Sequence, residues 1–316
     1  IFACGFAIAA PCFAAPPNVV LIVADDWGYT DLGFMGHPHI QTPRLDRLAA
    51  ESLTFRNGYV TNSLCRPSLA AIISGLYPHQ HGVTSNDPPG PKGSSKNGPA
   101  RGPNFDQDRA RQTALLLKHP TLPKLLGERG YLSFQTGKWW EGKYSTVGFT
   151  HGMTEGSRHG DAGLTIGRET MQPIYDFVDG AVKQDKPFFV WYAPFLPHTP
   201  HTPPERLLKK YLDKAPSEDV AKYWAMCDWC DETCGQLLDF LDERKLRDNT
   251  LVAFVTDNGW IQGAENNRAK QSPFDFGLRT PIMLRLPVRI EPRMSDEFAL
   301  SIDLAPTILR ACGLQP

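Results

Sequence analysis

The sequence predicts an α/β fold: a large, mixed but mostly parallel sheet flanked by helices. Two apolar, β-branched runs, 18–24 (NVVLIVA) and 250–256 (TLVAFVT), have the character of strands buried on both faces. Strand-like and helix-like segments alternate along the chain. Polar residues follow directly on the strand ends, Asp25-Asp26 after the first run and Asp257-Asn258 after the second. Open α/β sheets hold their ligands at that position.

The elements follow in order. Thr42 stands where an N-cap would, with Pro43 at the first helical position and Leu45, Leu48, Ala49 and Leu53 on one face. Residues 55–60 form a short strand, and 67–74 a helix closed by Gly75. The stretch 88–104 is rich in Pro, Gly and Ser and reads as a long surface loop, either on the substrate side or plainly disordered. A helix over 121–129 leads into a strand over 131–136 that ends at Gly137-Lys138. The pattern predicts a helix over 167–183 and a strand over 187–193, soon followed by His198. The longest helical run is 217–245, then come a strand over 282–286 and a helix over 300–311.

The chain has 316 residues, 41% of them hydrophobic, ample for one large core. A net charge of -1 gives no field that favours nucleic acid. Residues 1–15 (IFACGFAIAAPCFAA) are apolar, uncharged and too short to span a bilayer. They read as the residual part of a secretory signal peptide, so the protein is expected to be exported, periplasmic or secreted from a bacterium. Five cysteines then stay in the mature chain, Cys65, Cys227, Cys230, Cys234 and Cys312. The i, i+3, i+7 spacing of Cys227, Cys230 and Cys234 could hold a metal but also makes one helix face, and core thiols are the expectation.

Three carboxylates and one amide oxygen, from Asp25, Asp26, Asp257 and Asn258, suit a hard cation, with calcium preferred over magnesium. Cys65 falls at or just before the start of the 67–74 helix. The free N–H groups there favour a thiolate and bind oxyanions. Lys138 and His198 also follow strand ends.

These pieces resemble one family. PNVVLIVADDWGYTDLG, TPRLDRLAAES, CRPSLAAIISGLYPHQHG, TGKWW, APFLPHTP, NTLVAFVTDNG, KQSPFDFGLRTPI and SIDLAPTILRACG occur, in this order, as in type I sulfatases of the alkaline phosphatase superfamily. The resemblance implies a sulfatase catalytic domain over 16–316 with its smaller C-terminal subdomain missing. It implies hydrolysis of sulfate esters, on sulfated carbohydrates by analogy with exported bacterial relatives. A maturation enzyme would oxidise Cys65 to formylglycine, whose hydrate would sit with Asp25, Asp26, Asp257 and Asn258 on one calcium ion. Lys138, His198 and Lys270 would balance the sulfate charge, with His198 as acid for the leaving oxygen.

The chain departs from the family at two places. The maturation signature Cys-x-Pro-x-Arg has Leu69 where the Arg belongs, and the Lys-Trp-His of relatives is Lys138-Trp139-Trp140 here. Arg66, His79 and His81 are candidates to substitute. Trp139 and Trp140 fit either sugar stacking or core packing. Two alternatives stand beside the sulfatase expectation. One is a phosphodiesterase or phosphonate hydrolase of the same superfamily. The other is a silent sulfated-glycan-binding relative.

Overall fold

A computed structural model describes residues 16–88, 104–157, 159–263 and 270–316. The leader expected at 1–15 and most of the loop expected at 88–104 lie outside these residues. In chain order the strands are β1 (Asn18–Ala24), β2 (Leu53–Tyr59), β3 (Leu132–Gly137), β4 (His151–Gly152), β5 (Phe188–Ala193), β6 (Thr250–Thr256), β7 (Ile282–Arg285) and β8 (Arg293–Leu300). The helices are α1 (Pro43–Ala50), α2 (Cys65–Ser74), α3 (Pro78–His81), α4 (Phe105–Leu116), α5 (Leu122–Gly127), α6 (Gln172–Lys183), α7 (Glu205–Leu208), α8 (Glu218–Glu243), α9 (Asp275–Leu278) and α10 (Leu304–Ala311).

One sheet takes the order β4-β3-β5-β1-β6-β7-β2-β8. β1 pairs in parallel with β5 and β6, whereas β7 is antiparallel to both neighbours. β1 and β6 are buried at every residue because helices cover both faces. Val20, Ile22, Val190, Tyr192, Val252 and Phe254 pack on the side of α1, α6 and α8. Val19, Leu21, Val23, Phe189, Trp191, Leu251 and Val255 pack on the side of α2, α5 and α10. This period of two, apolar in both phases, is the physical reason the runs carry no polar alternation.

Several boundaries differ from expectation. α2 starts at Cys65, two residues before Pro67, because Leu64 is extended and its carbonyl accepts from Ser68 N–H at 3.1 Å. Thr42 precedes α1 but does not cap it: its Oγ1 accepts from Gly33 N–H (2.8 Å) and donates to Asp46 (2.9 Å). Asp231 on α8 caps α1 instead, accepting from Arg44 N–H at 3.1 Å and Leu45 N–H at 2.7 Å. α6 begins only at Gln172, and in place of the expected 300–311 helix Leu300 ends strand β8, 301–303 form a 3-10 turn and α10 covers 304–311. Sequence patterning gives neither α4 nor β8. Cys227, Cys230 and Cys234 are fully buried free thiols in the α8 core, as expected, and Trp139 and Trp140 are core residues. Among the described residues no helix is long and apolar enough to cross a membrane.

Candidate active site

β1, β3, β5 and β6 run in the same direction, so their carboxyl ends open on one edge of the sheet. β1 delivers Asp25 and Asp26. Asp25 N–H donates to Leu196 O at 2.9 Å, and Asp26 turns into the left-handed region at φ 57. That turn aims Asp26 N–H at Asp257 Oδ1 (3.2 Å), while Asp257 N–H bonds Ala24 O at 2.8 Å. The two strand ends are thus laced together by their own backbone.

β3 delivers Lys138 through Gly137. A Cβ at Gly137 would lie 1.8 Å from Ala193 O, so only glycine lets β3 cross this close to β5. Lys138 Nζ bonds Asp25 Oδ1 and lies 3.5 Å from Asp257 Oδ2. Lys270 Nζ holds both oxygens of Asp26 at 2.7 Å, and Asn258 Nδ2 donates to Asp26 Oδ1 at 2.7 Å. His198 Nε2 is 3.4 Å from Asp26 Oδ2, and its Nδ1 faces Thr199 O at 2.5 Å. A carbonyl only accepts, so Nδ1 carries the proton and Nε2 is bare in the neutral ring. Cys65 Sγ, in the first turn of α2, is 4.0 Å from Asp25 Oδ1 and 3.9 Å from Asp26 Oδ1.

Every residue expected at the site is therefore brought together: Asp25, Asp26, Cys65, Lys138, His198, Asp257, Asn258 and Lys270. Ligand atoms of Asp25, Asp26, Cys65 and His198 all lie within 4.8 Å of one another. Among the described residues, Asp25 Oδ2, Asp257 Oδ2 and Asn258 Oδ1 are buried without a hydrogen bond, Asp257 Oδ2 having only the Lys138 ammonium at 3.5 Å. Buried oxygens left unpaired in this way are costly, and a hard divalent cation is the group that would satisfy several at once. The donor set therefore fits a metal.

The charges set one another. Burial raises Asp25 despite the neighbouring Lys138, and burial with the nearby Asp25 carboxylate raises Asp257 to about 7. Burial also acts against Asp26, but Lys270, His198 and Lys138 outweigh it and hold that carboxyl low. Burial lowers His198 to about 3, reinforced by Lys138. The thiolate expected at Cys65 does not form: burial pushes the thiol far up, and Asp257 and Asp26 add to this against Lys138. The helix N-terminus is outweighed first by burial and then by the two facing carboxylates.

None of the three candidate substitutes points at Cys65. Arg66 is fully buried and bidentate to Glu141, with Nε–Oε1 at 2.6 Å and Nη2–Oε2 at 2.8 Å. His79 is exposed and stacked on Tyr77, and His81 is buried, its Nδ1 accepting from Val83 N–H at 3.1 Å. Leu69 is in the core. Patterning gave no pointer to Glu141 or to His159, whose ring lies 5.9 Å from that of His198. The partners come from segments remote in sequence, and a lone charge or histidine in a polar loop carries no signal.

The chain belongs to the sulfatase family, whose sequence profile matches residues 17–314. It is similar to arylsulfatase A of Homo sapiens, 29% identical over 354 residues covering 95% of this chain and 65% of that protein. It is also similar to N-acetylgalactosamine-6-sulfatase of Canis lupus familiaris, 29% identical and covering 95% of this chain and 63% of that one. The chain thus spans 65% and 63% of the lengths of these two relatives. Among solved structures, Ps i-CgsB in complex with k-i-k-neocarrahexaose superimposes with a TM-score of 0.74 at 25% identity, covering 95% of this chain and 73% of that one.

Proposed function

We propose that this protein is an exported hydrolase of sulfate esters on sulfated carbohydrates. The observation that carries the reading is the convergence of Asp25, Asp26, Asp257 and Asn258 around three buried oxygens that accept no hydrogen bond among the described residues, opposite residue 65 and between two lysines. The four residues would hold one calcium ion, which when bound supplies a Lewis-acid contact to a sulfate oxygen. Membership of the sulfatase family supports this, as do relatives named for sulfated substrates and the carrageenan-type oligosaccharide in the Ps i-CgsB complex.

The chain's own residues divide the work. Lys138 and Lys270, both cationic, offset the charge that a bound sulfate brings to a carboxylate-rich pocket. His198 is held by Thr199 with Nε2 towards the site, where the ester's leaving oxygen would lie. It becomes a donor to a leaving oxygen only as imidazolium, a form that burial disfavours here. Cys65 as a thiol is neutral and a weak nucleophile, and its conversion to formylglycine by a maturation enzyme is proposed from the family membership and its place opposite Asp25 and Asp26.

The test is co-expression with a formylglycine-generating enzyme, an intact-peptide mass across Cys65, and assays on 4-nitrophenyl sulfate and phosphate. An aldehyde at residue 65 and calcium-dependent sulfate release are expected. Preferential phosphate release would make it a phosphoryl hydrolase. An unmodified Cys65 with sulfated glycan bound but not cleaved would make it a binding protein. That second reading has one observation in its favour: neither Leu69 nor Arg66 brings a free charge to the nucleophile.

A further inference from the structure

His159 stands next to the site on a segment built to hold it rigidly. Its backbone is left-handed at φ 76, as is that of Asp161 at φ 52. Residues with a Cβ adopt this region only at a cost that the surroundings must offset. The surroundings do so. Trp139 N–H donates to His159 O at 3.0 Å, tying the segment to the chain just after Lys138. Gly160 passes so close to β3 that a Cβ there would lie 2.2 Å from Gly137 O. Asp161 Oδ2 accepts from Thr154 Oγ1 (3.0 Å) and from the N–H groups of Glu155 (2.7 Å), Gly156 (3.0 Å) and Ser157 (3.1 Å).

The ring that this frame presents is half-buried. It meets the edge of Trp140 at 4.7 Å, Phe195 at 5.5 Å and His198 at 5.9 Å between centroids. Phe195 in turn stacks on His198 at 4.3 Å. Trp140, His159, Phe195 and His198 therefore make one aromatic wall, and the wall reaches Asp26 through His198 Nε2. Within it, His159 is the half-exposed ring one imidazole further out than the group that faces Asp26.

We propose that His159 is a specificity-determining residue that hydrogen-bonds a hydroxyl of the sugar next to the sulfated carbon. This deepens the sulfate-ester reading above and rests on it. An imidazole can donate or accept, which suits a hydroxyl, and its fixed place limits which neighbouring hydroxyl it reaches. Sites that hydrogen-bond a substrate hydroxyl discriminate against analogues lacking it.

The test compares the matured parent with His159→Ala and His159→Asn on two esters. One is a set of pyranose monosulfates with the sulfate at different carbons. The other is 4-nitrophenyl sulfate, which has no hydroxyl. His159→Ala is expected to lose about tenfold in kcat/KM on the preferred sugar sulfate, the worth of one good hydrogen bond, while 4-nitrophenyl sulfate changes little. His159→Asn, which keeps a donor and an acceptor, should recover part of the loss. Equal losses on both esters, or no loss on either, overturns the proposal, since a merely structural residue would not tell the esters apart. If the parent cleaves neither ester, the hydrolase reading falls and the same contrast is read as binding. His159→Ala should then weaken the sugar sulfate about tenfold in Kd and leave inorganic sulfate unchanged. Unchanged sugar-sulfate binding in that variant overturns the assignment of His159 itself.

Discussion

Lys138 and Lys270 look alike in sequence and differ in consequence. Lys138 is 1% exposed and bridges Asp25 and Asp257, whereas the Lys270 side chain is 16% exposed and holds Asp26 alone. Removing one partner from a buried charge cluster strands the other charges, at a cost of about 3–5 kcal/mol. Lys138→Ala is therefore expected to lose both folding stability and activity. Lys270→Ala should lose less stability than Lys138→Ala, because Asn258 and His198 still face Asp26, yet drop by roughly a hundredfold or more in sulfate-ester turnover. Denaturant melts beside specific activity of the folded fraction check this, and a folded, fully active Lys270→Ala would remove that lysine from the sulfate pocket. Most of the site was legible because its residues sit at strand ends. Asp25, Asp26, Asp257 and Asn258 immediately follow runs whose burial on both faces is written in their composition. Asp231 was not legible as the cap of α1, because its partners are some 187 residues away in the chain. Nor was the protonation of Cys65, since the carboxylates that oppose a thiolate come from another strand end.

At the scale of elements, the start of α2 is fastened to the exit of β3. Arg66 follows Cys65, Glu141 lies three residues after Lys138, and the pair is buried at 0% and 3% side-chain exposure. α4 completes the clamp: Thr113 Oγ1 donates to Glu141 Oε2 at 2.7 Å, and Gln112 Oε1 accepts from Arg66 Nη1 at 2.5 Å. Glu141→Gln should destabilise the fold by about 3–5 kcal/mol, because an unpaired guanidinium stays in the interior. Adding Arg66→Met should return part of that loss, and a double-mutant cycle by urea melts measures the coupling. Additive losses would show that the two residues act separately. α4 escaped the sequence reading because its buried residues are only Thr113 and Leu116, too few to make an apolar stripe. β8 escaped for a similar reason. It is an edge strand exposed along most of its length, with Phe298 79% exposed, and among the described residues it pairs only with β2. Exposed edges with large apolar residues invite self-association. Phe298→Lys is expected to lower any concentration-dependent association in sedimentation while shifting stability by no more than about 0.5 kcal/mol. Unchanged association would place the sticky surface elsewhere.

For the whole molecule, pH and metal should act together, and the signs can be worked out. Asp31 at about 6, and Asp231 and Asp257 at about 7, all sit above the ordinary 3.8, each through burial. The folded state keeps these protons longer than the unfolded chain, so their contribution falls as pH rises from about 4 to 7. His37, His81 and His201, each lowered by burial to about 4, work in the other direction. The unfolded chain binds those protons first, so stability is lost as pH falls below the ordinary 6.5 towards 4. The two sets oppose each other below 6.5, and only the carboxylate slope continues above it. A divalent cation needs its carboxylates unprotonated, so its binding must displace the proton that Asp257 retains. Calcium should therefore raise the melting temperature more at pH 7.5 than at pH 5. At a hundredfold excess over Kd the gain is about 2.7 kcal/mol. Calorimetry at pH 6 in buffers of different ionisation enthalpy should show protons released on binding, and Asp257→Asn should abolish most of that release. A calcium effect that is equal at both pH values, or larger at pH 5, would mean that the ion binds somewhere other than at the ends of β1 and β6.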